Sequence, residues 1–445
     1  MAQSIEQIHS HTAGIDIGAN NVFVAVSGQE VLTFGTFTAD YRSLIAYLHS
    51  HGVLTVAMEA TGVYWYALYE MLEGANIDVY LVNGAHVKNV PGRKSDVQDC
   101  QWLAQLHSHG LLRKSFIPDE SIRQLRTYTR LREDHIEMAG SHVLHMQKAL
   151  TSMNIRLHQV LSQITGVSGM NVINAILEGH RNPQYLLTLC DKQVIKRKAA
   201  AVMASLEGHY KTEHLFALRQ AVECYEFYER QRLACDAQIE LLLQQINEHL
   251  PPPEDCTTLN VPKDARHNHP KIKELHKKLV TANNGKDVAT ISGYSDKTFL
   301  KLMAEVGTTV SPWPTDGHFT SWLGLTPKSD TSGKTKRKKK NRAKTNAGQI
   351  FREIAMAVAE SKYLAIGSFY RRIRAKRGVK VAIVATARKL AVQYYNLMKY
   401  GVQFVENGIK KYEEQQKKRL EHFLIKKTQE LGYQLVITET GEVVH

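Results

Sequence analysis

The sequence GIDIG at residues 14–18 places Asp16 inside a short apolar run that predicts a β-strand. Three further carboxylates follow: Glu59 closes a second such run, and Asp96 and Asp99 stand at the start of a predicted helix. Residues three apart on a helix share one face, so the last two acids project together. Acids also suit the first turn of a helix, which is an ordinary explanation for that pair. Hard divalent cations prefer carboxylate oxygens, and the four acids together predict a metal site.

The order of the predicted elements indicates how these acids come together. Three predicted strands follow one another and are succeeded by alternating helices and strands. This order is typical of a ribonuclease-H-like fold, so we predict an α/β domain for residues 1–112. The predicted strands are 13–17, 22–26, 31–37, 53–58 and 77–82, and the predicted helices are 41–51, 64–74 and one that begins near residue 96.

The charge of the chain is strongly positive but unevenly distributed. The 445 residues carry a net charge of +14, and the pI is about 9.3. Residues 1–110 contain four basic residues against ten acidic ones, so the rest of the chain carries a net charge of +20. An acidic module that binds cations and a basic body that binds phosphates are expected of an enzyme that acts on nucleic acid.

The cysteine and hydropathy patterns indicate a cytoplasmic protein without a membrane partner. The five cysteines are scattered and form no Cys-x-x-Cys pair, which favours reduced thiols over disulfides or a zinc site. The 21 histidines form no ligand spacing such as HExxH. No apolar stretch reaches about 18 residues and no signal peptide is evident, so we expect no membrane association.

From residue 121 the pattern becomes helical, with seam residues recurring at three- and four-residue spacing over four heptads. A second long predicted helix, 213–250, carries similar spacing. Two such helices predict a coiled-coil arm or dimerisation element within residues 113–255. An ordinary helical-bundle core is the alternative, because Thr129 and Arg132 occupy seam positions.

The rest of the chain is divided by composition. Three prolines at residues 251–253 end the second long helix. Residues 256–286 are polar and lysine-rich and predict a linker. Residues 287–400 are predicted to be mostly helical, beginning with half of a helix–hairpin–helix that would bind phosphate through backbone amides. Residues 401–445 are predicted to form a helical extension that ends in a hairpin.

A basic run at residues 334–344 lies between two segments with structured patterns. Just before it, Ser332 and Gly333 offer a hydroxyl beside a turn residue. Such a hydroxyl can attack a phosphate while nearby cations stabilise the charge on the phosphoryl group, although Ser-Gly is more often only a turn. We expect the run to bind nucleic acid through eight basic side chains: Lys334, Lys336, Arg337, Lys338, Lys339, Lys340, Arg342 and Lys344.

Two blocks of the sequence resemble a known family. Residues 10–110 contain GIDIG, MEATGVYW and KSDVQD, and residues 290–355 contain ISGYS, FTSWLGLTPKSDTSGKT and NAGQIFR. At this separation the combination resembles the DEDD-type transposases of the IS-one-ten and IS-eleven-eleven insertion sequences, which are bridge-RNA-guided DNA recombinases. The GYS turn and the length of the basic run differ from the family pattern.

The resemblance implies a RuvC-like N-terminal domain that binds Mg²⁺ and a mostly helical C-terminal transposase domain. Carried over by motif, the implied Mg²⁺ ligands are Asp16, Glu59, Asp96 and Asp99. The resemblance also implies that Ser332 attacks DNA, with Ser329 as the second candidate in the same loop. Strand exchange would then proceed through a 5′-phosphoserine link.

The partners implied by the resemblance are donor DNA, target DNA and a structured noncoding guide RNA that pairs with both. A homo-oligomer is also implied, a dimer that forms a tetramer in the synaptic complex, with the acids and the serine supplied by different subunits. The expected location is the bacterial cytoplasm, in association with the nucleoid.

Three other interpretations of the residues are possible. A metal-dependent endonuclease of the Holliday-junction type would use the same acids to activate water. A sugar-kinase or actin-like ATPase would use GIDIGANNVFVAV to bind phosphate, but no second phosphate loop is found in the sequence. A non-catalytic RNA-binding scaffold would leave the four acids without a role.

Overall fold

The structure is a computed structural model of the 445-residue chain. It divides into two compact units, Met1–Ile117 and Pro118–His445. The finer division of the second unit into an arm, a linker and two C-terminal parts stays a prediction. The residues that the structure describes are 7–84, 96–251, 268–327, 330–332, 335–337, 345–362, 364–436 and 443–444.

The first unit is built on a five-stranded mixed sheet with the strand order β3-β2-β1-β4-β5. The first three strands form an antiparallel meander, whereas β4 is parallel to both β1 and β5. This arrangement is consistent with the predicted ribonuclease-H-like domain. The elements are β1 Thr12–Ile17, β2 Val22–Val26, β3 Leu32–Phe34, α1 Thr38–Ser50, β4 Thr55–Glu59, α2 Trp65–Gly74, β5 Asp78–Val82 and α3 Asp96–Ser108.

The two faces of this sheet are covered by different helices. Side chains alternate along a strand, so Ala13, Ile15 and Ile17 of β1 share one face, where they pack in the main apolar core. Helices α1 and α2 contribute to that core through Leu44, Leu48, Leu68 and Leu72, which are fully buried. The opposite face of β1 is covered by α3. Asp16 therefore lies on the face covered by α3.

Two long helices dominate the start of the second unit, α4 Glu120–Ser152 and α9 Thr212–Asn247. Arg132 of α4 pairs with Asp236 of α9, while Leu150 of α4 packs in one cluster with Leu218 of α9. Because one residue number rises as the other falls, the two helices are antiparallel. Thr129 and Arg132 are buried in this packing. The coiled coil and its role in dimerisation stay predictions.

Short helices fill the segment between the two long ones, for which the sequence pattern made no prediction. They pack around a cluster that includes Met153, Leu157, Ile173 and Val202, all fully buried. The chain therefore closes the end of the long helix pair with its own apolar core. These helices are α5 Leu157–Val160, α6 Val167–Leu177, α7 Pro183–Thr188 and α8 Lys192–Ser205.

The remaining helices form an aromatic core in which Phe319, Phe351 and Tyr394 are stacked or edge-on to one another. Within the described ranges, no helix is both long and apolar enough to cross a membrane. The elements are α10 Leu275–Ala282, a 3₁₀ turn Val288–Thr290, α11 Asp296–Val306, α12 Asp316–Trp322, β6 Asp330–Ser332, β7 Thr335–Arg337, α13 Asn346–Ala359, α14 Ala365–Arg377, α15 Val379–Tyr400, α16 Val402–Glu430, β8 Leu435–Val436 and β9 Val443–Val444.

Candidate functional site

Asp16 and Glu59 lie at the carboxyl ends of neighbouring parallel strands of the first unit, Asp16 as the last residue but one of β1 and Glu59 as the last of β4. Ile15 of β1 is in register with Met58 of β4, so the next residue on each strand is one of the two acids. Both side chains are half-buried. The carboxyl ends of adjacent parallel strands meet at one edge of a sheet, which is where ligands usually bind in such folds. That the four acids form one site stays a prediction.

Helix α3 runs antiparallel to β1 and β4 and brings its first turn to the same edge. Gly14 lies so close to α3 that a Cβ there would overlap the carbonyl of Cys100 and the amide of Ala104. At the other end of the helix, His107 Nε2 is 2.9 Å from the Oγ1 of Thr55, the first residue of β4. The N-terminal turn of α3 consequently points toward the ends of β1 and β4.

Asp99 directly precedes Cys100 in α3, and the carbonyl of Cys100 lies against Gly14, two residues before Asp16. Burial, and then the negative charge of Asp16 with a smaller contribution from Asp99, raises the pKa of Cys100 to about 12. Asp96 is the first residue of α3, one turn before Cys100, and its side chain lies outside the described residues.

Glu59 lies against the chain that follows β5. A Cβ at Gly84 would overlap the carboxylate of Glu59, so the bare backbone at residue 84 leaves space for that side chain. Gly84 comes two residues after Val82, which is in register with Glu59. The edge is therefore formed by the ends of β1 and β4, the segment after β5 and the first turn of α3.

The chemistry available at this edge is that of carboxylate oxygens. Among the side chains that the structure describes, no group of three or more His, Cys, Asp or Glu is arranged to hold a metal ion. The side chain of Asp96, one of the four predicted acids, lies outside the described residues. The donor type suits a hard divalent cation.

Ser332 belongs to the second unit, where it ends β6 and pairs with Thr335 of β7. Gly333 and Lys334 stand between these two residues in the sequence. Only backbone is described for Ser332, Lys336 and Arg337. The predictions for Ser329, Lys334, Lys338, Lys339, Lys340, Arg342 and Lys344 lie outside the described residues.

The segment that carries Ser332 is closed at its base. Thr345 Oγ1 donates a hydrogen bond of 3.1 Å to the carbonyl of Leu323, against which Gly348 also packs. Arg352 Nη2 donates a hydrogen bond of 3.1 Å to the carbonyl of Gly324, the residue after Leu323. Residues 323 and 345, which flank the segment with the serine and the basic run in the sequence, are thus held together.

Sequence reasoning missed the glycines that shape the acidic edge. Gly14 and Gly84 carry no chemical group, yet each makes room for a neighbour that the site needs. The sequence signal for this close approach is the position of Gly14. It comes two residues before Asp16 and therefore lies on the same face of β1. A glycine at that position indicates that another backbone approaches closely.

Comparison with known families gives two matches. A DEDD transposase family of the IS110 type matches residues 13–155, and the family described as Transposase IS116/IS110/IS902 matches residues 286–371. Together they cover about half of the chain and include both blocks on which the sequence resemblance rests. No curated protein matches the chain. The resemblance predicted from the sequence is confirmed: the chain is an enzyme of the IS110 family of transposases.

Proposed function

We propose that this transposase is an RNA-guided recombinase that excises and inserts its element by serine attack on DNA. The observation that supports the metal part of the proposal is the edge of the first unit. There Asp16 and Glu59 lie at the carboxyl ends of neighbouring strands, toward which the first turn of α3 points, and that turn carries Asp96 and Asp99. Four carboxylates that approach one point would repel one another unless a cation lies between them.

The residues that would hold Mg²⁺ are these four acids. Mg²⁺ binds oxygen ligands and, when bound beside a phosphodiester, stabilises negative charge on its oxygens. Asp16 and Glu59 are held by strands, and Gly14 and Gly84 make room for α3 and for the Glu59 carboxylate. The chain thereby presents the donors on rigid elements, which is the arrangement that a precise ligand position requires.

The proposed nucleophile is Ser332. Its Oγ attacks the phosphorus of the scissile phosphodiester and loses its proton, a new bond forms from Oγ to phosphorus, and the bond from phosphorus to O3′ breaks. The leaving O3′ takes up a proton and becomes a 3′-hydroxyl. The 5′-phosphoserine ester retains a phosphodiester-type bond, so a second 3′-hydroxyl can reverse the step and join a new strand.

The surroundings of Ser332 support this role. Residues 323 and 345, which flank the segment, are held together by a hydrogen bond, and the sequence after Ser332 continues into the run of basic residues from 334 to 344. Those cations would bind the DNA backbone and the charge that develops on the transferring group. A structured noncoding RNA would pair with donor and target DNA, and the antiparallel pair α4 and α9 would join subunits of the homo-oligomer.

The experiment that tests this proposal is a denaturing gel of protein incubated with Mg²⁺, the element's noncoding RNA and labelled DNA that carries the element's junction. We expect a protein-linked DNA band with the wild type that is absent from Ser332→Ala and retained by Ser311→Ala, an exposed serine of the same unit. Loss in Ser329→Ala alone would move the nucleophile to Ser329. Free cleaved ends of equal intensity in all variants would instead establish a water-activating endonuclease.

A further inference from the structure

Helices α14 and α15 form a hairpin whose charged residues are all basic, and we call these two helices the cationic hairpin. Between Glu360 and Glu406 the sequence contains ten lysines and arginines and no acidic residue. The two helices are joined by Gly378, and Tyr370 of the first packs against Ala382 of the second. The chain therefore reverses direction at Gly378, and the residues on either side of it form the tip.

Four cations of the cationic hairpin, three at the tip and Arg388 further along α15, are exposed and have no described ion-pair partner. The three at the tip are Lys376, Arg377 and Lys380. Space around Gly378 is open, since a Cβ there would meet no atom within 4 Å. Arg374, by contrast, is paired with Glu360 at 2.6 Å. Most of the positive charge at the tip is thus available to an external partner.

Helix stability does not account for this charge. Cations in the last turn of a helix interact favourably with its dipole, which explains Lys376 and Arg377 at the end of α14. Lys380 is the second residue of α15, where the same dipole disfavours a cation. A lysine at that position adds positive charge to the tip at a small cost to its own helix.

The cluster continues along the hairpin. Lys389 Nζ lies 5.0 Å from the ring centre of Phe369, and the guanidinium of Arg372 lies 5.6 Å from the same ring. Burial, and then the positive charges of Arg372 and Arg419, lowers the pKa of Lys389 to about 8. Glu413 lines the same small cavity as Lys389, but no ion pair joins them among the described contacts. Cations therefore converge here, and none of the three forms an ion pair with a described carboxylate.

We propose that the cationic hairpin binds the sugar–phosphate backbone of duplex DNA, in addition to the basic run expected to bind nucleic acid at residues 334–344. A transposase has DNA as its substrate. Proteins that bind single strands commonly stack bases on exposed aromatic rings. Residues 371–393, which include the tip, contain no aromatic residue, Phe369 is half-buried beneath two cations, and the exposed Tyr400 lies at the end of α15 away from the tip. Charge without stacking surfaces fits the phosphates of a duplex.

This inference rests on the DNA-binding part of the proposed function and adds a binding surface to it. DNA binding by the surface can be measured without any cleavage step. The measurement is the affinity of the full chain for a labelled 30-base-pair duplex without element sequence, at several salt concentrations and with no Mg²⁺. The variant Lys376→Gln/Arg377→Gln/Lys380→Gln removes three tip charges. A control removes the same charge from α16, where glutamates lie three or four residues from each lysine: Lys410→Gln/Lys411→Gln/Lys418→Gln.

We expect the tip variant to bind more weakly and its plot of log affinity against log salt to be shallower by about one per removed contact, roughly 2 to 3 in all. The control should keep the wild-type slope. Equal losses in both variants would mean a general effect of net charge, and no loss in either would remove the surface; both overturn the proposal. Weaker binding to a structured RNA with unchanged duplex binding would also overturn it, because the partner would then be RNA.

Folding of the tip variant is checked by its unfolding midpoint. If that midpoint falls, Arg377→Gln/Arg388→Gln, with changes at two exposed side chains on different helices, provides an independent variant with an expected slope change of about 2. Because the readout is binding alone, the outcome is separate from whether Ser332 forms a covalent link to DNA.

Discussion

Gly14 of β1 lies directly against the carbonyl of Cys100 in α3, with no room for a side chain between strand and helix. This contact sets the depth at which α3 packs on the sheet. It therefore also sets where Asp99, the residue before Cys100, stands relative to Asp16. The position of the acidic edge depends on a residue that has no functional group.

Gly14→Ala should destabilise the first unit, because the added methyl meets backbone atoms that cannot turn away. Overpacking of this kind costs about 1–3 kcal/mol. Gly140→Ala is the matched control, since Gly140 lies within α4 with no atom near its Cβ position. That change should stabilise by about 0.4–1 kcal/mol. Denaturant unfolding curves measure both, and equal midpoints for the two variants would contradict the close approach of α3.

Asp16→Asn should abolish strand exchange and leave DNA and RNA binding close to wild type. The change replaces a proposed Mg²⁺ ligand by a neutral amide of the same shape, in the unit that lacks the basic run. Asp78→Asn is the control, because Asp78 begins β5 at the opposite edge of the same sheet, where it pairs with Lys114 at 2.6 Å. Recombination assays on both variants check this. Full activity of Asp16→Asn would remove the metal assignment.

Arg132→Met should strongly destabilise the second unit. Arg132 Nε lies 2.5 Å from Asp236 Oδ1, and both side chains are 1% exposed. Loss of one member of a buried pair costs about 3–5 kcal/mol, and we expect the lower end of that range because Arg232 at 3.4 Å and the amide of Lys271 at 3.0 Å still contact the buried Asp236. The double change Arg132→Met/Asp236→Leu should cost less than the single one, since apolar pairs of similar volume replace buried ion pairs well. A double-mutant cycle of unfolding free energies tests this, and additive effects would refute the coupling.

The exposed pair between Lys427 and Glu430 serves as the reference for that cycle. Its nitrogen and oxygen are 2.6 Å apart, yet both side chains are about half exposed. Exposed pairs of this type contribute about 0–1 kcal/mol. Lys427→Met should therefore leave the unfolding midpoint nearly unchanged.

His276 should make the stability of the second unit depend on alkaline pH. Its Nδ1 is 2.7 Å from Asp296, and its Nε2 is 3.4 Å from Asp287, with all three side chains buried. Burial lowers the pKa of His276. The interactions with the two aspartates, through hydrogen bonding and through their negative charges, outweigh this effect and raise the pKa to about 9. Folding thus raises this pKa above its unfolded value of about 6.5.

The stabilisation from His276 is consequently complete below about pH 6.5 and is lost as the pH rises through 9. Its size is at most about 3 kcal/mol. Unfolding free energies measured from pH 6 to pH 10 should decline over this interval for the wild type and stay flatter for His276→Gln. Parallel curves for the two proteins would show that the imidazole is not protonated in the folded state.

Much of the architecture was predictable from the linear pattern of residues. Strand 22–26 is predicted with the bounds that β2 has, and residues 287–400 are predicted to be mostly helical, as they are over α11–α15. In β2 a continuous apolar run of β-branched and aromatic residues is also buried, so local propensity and burial agree. The motifs around Asp16, Glu59 and Asp99 were sufficient for the family because the residue types and their separations are rare in combination.

Other features required the folded chain. Which backbone Gly14 touches, and that Gly84 makes room for Glu59, depend on pairings between segments far apart in sequence. The helices between α4 and α9 have short apolar runs whose partners cannot be read from local periodicity. The sequence shows that Lys376, Arg377 and Lys380 form a cluster of basic residues. It does not show whether carboxylates from other segments pair with them in the folded chain. Local order follows from neighbouring residues, whereas proximity and compensation of charge are properties of the packed tertiary structure.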